Sequence, residues 1–234
     1  MSLRVVINAS PAIYEELLAR KDPDVRVLPD PWNRAIGGYD ILEAIVQIGE
    51  YCRRMGISGK YFVPLASNCM FWNHTTLDTI EQLYTSESTD RVVDIHSRTT
   101  QDWHWPRIYK NTRMLDEFSR LGVVKLIGKQ WEGSIYEFDI FVKLCECLRD
   151  NNFRNLVQEE TFFEEYLLPT LYVHLIGRSP MQLCHVFWGI PDYRPSIAEI
   201  EASREPCVKR VFRDLQDPVR VWLRSKTNGY SPLA

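Results

Sequence analysis

The feature that most restricts the fold is an alternation along the chain: short β-rich runs separated by stretches of helical periodicity. RVVINA (4–9), VRVL (25–28), RVVDI (91–95), VVKLI (123–127) and QLCHVFW (182–188) read as strands. YDILEAIVQIGEYCRRM (39–55) and YEFDIFVKLCECLRD (136–150) read as amphipathic helices, the second with Phe138, Phe141, Leu144, Cys145 and Leu148 on one face. Between them KYFVPLA (60–66) reads as a continuous apolar strand buried on both faces, joined to the preceding helix through Gly56, Ser58 and Gly59. Such alternation predicts an α/β fold with an at least partly parallel sheet. The 234 residues carry no repeat and no low-complexity linker, so a single domain over 1–234 is expected.

Composition narrows the partners. The net charge is −3, with Lys and Arg spread along the chain, which lacks the basic footprint that nucleic-acid binding requires. No run approaches the roughly 18 apolar residues that span a bilayer, so no transmembrane segment is expected. Six cysteines stand without a CxxC pair or a zinc-like spacing, and Cys145 and Cys147 fall within an apolar helical pattern. Free thiols in a cytoplasmic setting are the expectation.

Candidate chemistry is dispersed. From about Thr85 to Pro106 the chain loses apolar periodicity and gathers Ser, Thr, Asp, His and Trp. Asp94, His96, Asp102 and His104 in this stretch could offer oxygen and nitrogen ligands to a divalent metal, against the simpler reading of loop polarity. His174 and His185 lie in apolar runs and are expected in the core. There is no G-x-S-x-G, P-loop or G-x-G-x-x-G motif. VQEETFFEEYLLPTL (157–171) predicts a helix with its aromatics inward and several glutamates in water. The alternative is that Phe162 and Phe163 desolvate one carboxylate and raise its pKa towards general-base work. Trp103, Trp105, Trp131 and Trp188 near loops suit either rim packing or stacking on sugar rings. The basic cluster Lys209, Arg210, Arg213, Arg220, Arg224 and Lys226 suits either a solvated face or a phosphate clamp.

Taken in order, several short segments resemble the branching N-acetylglucosaminyltransferases of mucin core 2 type and the related peptide xylosyltransferases. VVINASP (5–11) is similar to that family's second strand, GGYDILEA (37–44) to its turn into a helix, and KYFVPLASNCMF (60–71) to its apolar strand and Ser-containing loop. GKQWEGSIYEF (128–138) resembles its Gly-Ser-x-Trp segment, and Glu159-Glu160-Thr161-Phe162-Phe163 its Asp-Glu-x-x-Trp. Two departures stand out. Ser67-Asn68-Cys69-Met70 replaces an Asp-Tyr-Pro-like strand end, and the nucleotide-binding strand that precedes the VVINASP-like segment is not evident, so a chain that begins partway through the fold is expected.

The resemblance implies a single GT-A-like, Rossmann-like mixed sheet flanked by helices. It also implies inverting, metal-independent transfer from a nucleotide sugar, with UDP as the expected carrier, to a glycan hydroxyl in bacterial-type polysaccharide synthesis. By resemblance Glu160 falls on the catalytic base, and Lys209, Arg210 and Arg213 fall on the segment that holds the diphosphate. By the same resemblance Trp188, Trp131, Asn68 and Glu159 fall to the acceptor and sugar, and no metal is implied. A lipid-linked acceptor would bring the protein to a membrane surface peripherally. Two other readings stay open: a non-catalytic sugar- or nucleotide-binding protein of the same fold, and a metal-dependent hydrolase built on Asp94, His96, Asp102 and His104.

Overall fold

The structure is a computed structural model that describes residues 5–7, 11–19, 25–28, 38–66, 69–73, 77–85, 91–94, 111–150, 153–157, 163–187, 193–203 and 205–226. It is mixed α/β, as the alternation predicts. The described strands fall into four separate small sheets, so the single continuous sheet expected from the sequence is not seen among them. The chain groups into two compact units, each drawn from three chain segments.

The first unit comprises Met1–Lys60, Asp90–Lys129 and Glu137–Ser179. Strand β1 (Val5–Ile7) pairs in parallel with β2 (Val25–Val27), joined through helix α1 (Pro11–Ala19), whose proline stands at the first position, where a missing N–H leaves no bond unmade. Helix α2 (Gly38–Arg54) packs against α5 (Phe138–Asp150). Leu42, Ile45, Val46 and Cys52 of α2 are buried, as are Phe141, Leu144, Cys145 and Leu148 of α5. Gly49 makes the close approach possible: a Cβ there would stand 2.5 Å from Cys145 Cβ.

Strands β5 (Arg91–Asp94) and β6 (Lys125–Gly128) pair antiparallel in the same unit. Helix α4 (Thr112–Arg120) lies between them in sequence and is capped by Asn111, whose side chain accepts from Met114 N–H at 3.0 Å. After the short helix α6 (Phe153–Leu156) comes α7 (Leu167–Ile176), closed by Gly177 at φ 74°. From α7, Thr170 Oγ1 accepts from Ile127 N–H at 2.9 Å and donates to Ile127 O, so a helix hydroxyl completes the β6 backbone.

The acidic stretch departs from its predicted helix. Residues 158–162 lie outside the described residues, Phe163–Glu165 forms one 3-10 turn, and α7 begins at Leu167. Glu164 and Glu165 are buried rather than wet, and Glu165 O accepts from Lys129 N–H at 2.7 Å. His174, expected in the core, is exposed.

The second unit comprises Tyr61–Thr89, Gln130–Tyr136 and Pro180–Ala234. One sheet runs in the order β3 (Tyr61–Phe62), β7 (Ser134–Glu137), β8 (Met181–Gln182). The other runs β4 (Cys69–Phe71), β10 (Cys207–Lys209), β9 (Cys184–Val186), with β10 antiparallel to β4 and parallel to β9. Helix α3 (Leu77–Thr85) contributes Ile80 to a core of Ile135, Met181, Leu183, Cys184 and Cys207. A second core joins Ile200 of α8 (Ile197–Glu201) and Leu223 of α9 (Pro218–Lys226) to Val208 and Val211.

Two predicted strands are shorter here. Only Tyr61 and Phe62 of KYFVPLA are in a strand, because Pro64 has no N–H to give a ladder. The predicted run 182–188 is broken at Leu183, whose N–H donates instead to Gly133 O at 2.6 Å.

Candidate functional site

In the second unit, side-chain alternation sets what can meet. Across β4, β10 and β9 the register pairs Lys209 with Cys69 and with Val186, and Cys207 with Phe71 and with Cys184. Residues 207 and 209 point to the same face of a strand, so Cys69, Cys184, Cys207 and Lys209 share one face.

The turn at Trp131–Gly133 is brought to Lys209. Gly133 is required in this turn: its φ is 81°, and a Cβ would lie 2.2 Å from Cys184 Cβ. Its N–H donates to Pro64 O at 2.7 Å. Glu132 then reaches Lys209, with Oε1 2.6 Å from Nζ, and its other carboxylate oxygen accepts from Gln130 Nε2. Gln182 Nε2 donates to Glu132 O at 2.7 Å and to Cys184 O at 3.0 Å. The ion pair is only about a fifth exposed on either side, 17% and 21%, which puts it among those whose geometry matters rather than the freely screened surface pairs.

Trp131 is partly buried, its ring tilted against Tyr136 at 5.5 Å and Phe62 at 6.4 Å. Arg210 follows the strand at φ 78°, the left-handed region that a residue with a Cβ adopts at a cost. Arg213 is exposed three residues on. His185, on β9, is partly buried and meets Glu205 through Nδ1 and Oε2 at 3.2 Å.

The sulfurs of Cys184 and Cys207 stand 3.2 Å apart, and both thiols are in hydrogen-bonding reach of Cys69. Hydrogen bonds from Cys184 and then Cys207 hold the Cys69 thiol well below the usual thiol range, against burial and with help from the Lys209 charge. Cys184 is pushed up by its hydrogen bonds to Cys207 and Cys69 and by burial.

Of the residues singled out from the sequence, Trp131, Lys209, Arg210 and Arg213 fall in this unit, and the turn of Trp131 meets the strand of Lys209 through Glu132. Glu159, Glu160, Trp188, Asn68, His96, Asp102 and His104 lie outside the described residues, and Asp94 is described only as the last residue of β5. Among the described residues no group of three or more His, Cys, Asp or Glu is arranged to hold a metal, and no helix is long and apolar enough to cross a membrane.

Sequence reading missed Glu132 and the cysteine trio. Glu132 follows Trp131 directly, and Cys207 and Lys209 show the i, i+2 spacing of one strand face; their partners across the sheet had no signal in the sequence. Compared with known proteins, the chain matches no family model, no curated protein and no solved structure.

Proposed function

We propose that the protein is a metal-independent, inverting glycosyltransferase of GT-A-like organisation that moves a sugar from a nucleotide carrier, UDP in the first instance, to a glycan hydroxyl in a cytoplasmic setting. The observation that carries this reading is the convergence of two segments the resemblance assigns to one site. GKQWEGS and VKRVFRD are far apart in sequence, yet Glu132 and Lys209 meet at 2.6 Å. In this reading Glu160 takes the acceptor proton while the acceptor oxygen attacks the anomeric carbon opposite the leaving diphosphate. Arg210 and Arg213 meet the charge that develops on the diphosphate. Lys209, already engaged by Glu132, positions the strand end from which they project.

Calorimetric titration with UDP and GDP, each with and without EDTA, tests the reading. Saturable binding of one nucleotide that survives EDTA is expected, and Glu160→Gln should leave that affinity intact while suppressing transfer. Failure of both nucleotides to bind, or binding lost with EDTA, would overturn it.

A further inference from the structure

We propose that Cys69, Cys184 and Cys207 form a peroxide-reactive thiol site in which Cys69 is oxidised first and one of the two buried thiols closes a disulfide on it. The inference is independent of the glycosyltransferase reading and rests on the β4–β10–β9 sheet. Cross-strand register puts the three side chains on one face, the Cys184 and Cys207 sulfurs stand 3.2 Å apart, and both lie in hydrogen-bonding reach of Cys69. All three are free cysteines, Cys184 and Cys207 fully buried and Cys69 partly exposed, so a small oxidant meets Cys69 first. Lys209, opposite Cys69 in the register, supplies a positive charge on the same face, and the Glu132 carboxylate fixes that ammonium in place.

The chemistry balances with a hydroperoxide as oxidant. Cys69 sulfur attacks the nearer peroxide oxygen, the S–O bond forms as the O–O bond breaks, and the alkoxide or hydroxide leaving group takes a proton to become an alcohol or water. Cys184 or Cys207 then attacks the sulfenic sulfur. An S–S bond replaces the S–OH bond, and hydroxide leaves as water with the proton of the attacking thiol. Two thiols lose two electrons and the hydroperoxide gains them; an external dithiol reverses the step by exchange. The partners are already adjacent, so a second thiol can trap the sulfenic acid before further oxidation. In a reducing compartment such a bond is transient.

The test treats the reduced full chain, freed of reductant, with one equivalent of hydrogen peroxide and maps its cysteine peptides by mass spectrometry without reduction. The expected product is a peptide pair joining Cys69 to Cys184 or Cys207, short of two hydrogens and reversed by dithiothreitol. It should be lost in Cys69→Ser and retained in Cys147→Ser. Cys69 driven to sulfinic acid with Cys184 and Cys207 still reduced, or first oxidation at another cysteine, would overturn the proposal. If circular dichroism shows that Cys69→Ser does not fold, the wild-type chain decides: after substoichiometric peroxide, Cys69 should be the first thiol protected from iodoacetamide, and protection elsewhere first would refute the site.

Discussion

At position 210 a side chain with a Cβ occupies the left-handed region, at φ 78°. Backbone strain of this kind persists where surrounding structure enforces it, and it collects at sites that bind or react. Replacing Arg210 by Ala keeps the Cβ and therefore the strain; replacing it by Gly removes both. Either change deletes whatever the guanidinium contacts, so their difference isolates the backbone. Left-handed strain of about 1–2 kcal/mol is partly offset by the extra freedom glycine has in the unfolded chain. Arg210→Gly should therefore unfold at a higher denaturant midpoint than Arg210→Ala, by the equivalent of about 0.5–1 kcal/mol. Both should weaken diphosphate binding by about 1.5–3 kcal/mol, the worth of a charged hydrogen bond. Equal midpoints would show that φ at 210 carries no strain, and unchanged affinity would remove the guanidinium from the proposed site.

Among the elements, α8 is short for the core contact it carries. Its Ile200 is fully buried with Val208, Val211 and Leu223, yet the helix has only five residues, too few to hold itself in water. A capping box supplies the rest: Ser196 Oγ accepts from Glu199 N–H at 3.3 Å, and Glu199 Oε2 accepts from Ser196 N–H at 2.8 Å. Ser196→Ala should lower stability by about 1 kcal/mol in denaturant titration. Tyr193 OH, Ser196 Oγ and Ser196 N–H all donate to the Glu199 carboxylate and draw it from the ordinary glutamate range to about 2. A depressed folded-state pKa stabilises in full above the unfolded glutamate value and is lost as pH falls through the folded one. Acid titration of the wild type should therefore show a loss of stability between about pH 4.5 and 2 that is shallower in Ser196→Ala; identical slopes would mean that the box does not couple to folding. Helix α9 is also capped by a side chain: buried Asp217 accepts from Val219 and Arg220 N–H at 3.1 Å, and Pro218 opens the first turn.

On the scale of the molecule, the strands and helices with clean periodicity were legible: β1, β2, α2, β5 and most of α5 lie where the sequence puts them. Apolar runs without periodicity misled, because burial alone does not separate a strand from irregular chain; Pro64 and Leu183 each end a ladder that hydrophobicity would continue. Glu164 and Glu165 read as solvent-facing because helical spacing was projected across a stretch that forms a 3-10 turn. The cysteine trio depends on pairing among three strands distant in sequence, which no local pattern encodes. That division of labour yields a last prediction. Every segment of the first unit ends by Ser179, while the second draws β8, β9, β10, α8 and α9 from later residues. A fragment of residues 1–179 keeps the buried faces of α2, α5 and α7 but removes Met181, Leu183, Cys184 and Cys207 from around Ile80 and Ile135. It should retain helical circular dichroism, bind a hydrophobic dye that the full chain does not, and lose nucleotide affinity with Arg210 and Arg213. A wholly unfolded fragment would show that the first unit's core cannot stand without the later segment, whereas a folded fragment that still binds the nucleotide would move the proposed diphosphate site off the 208–214 stretch.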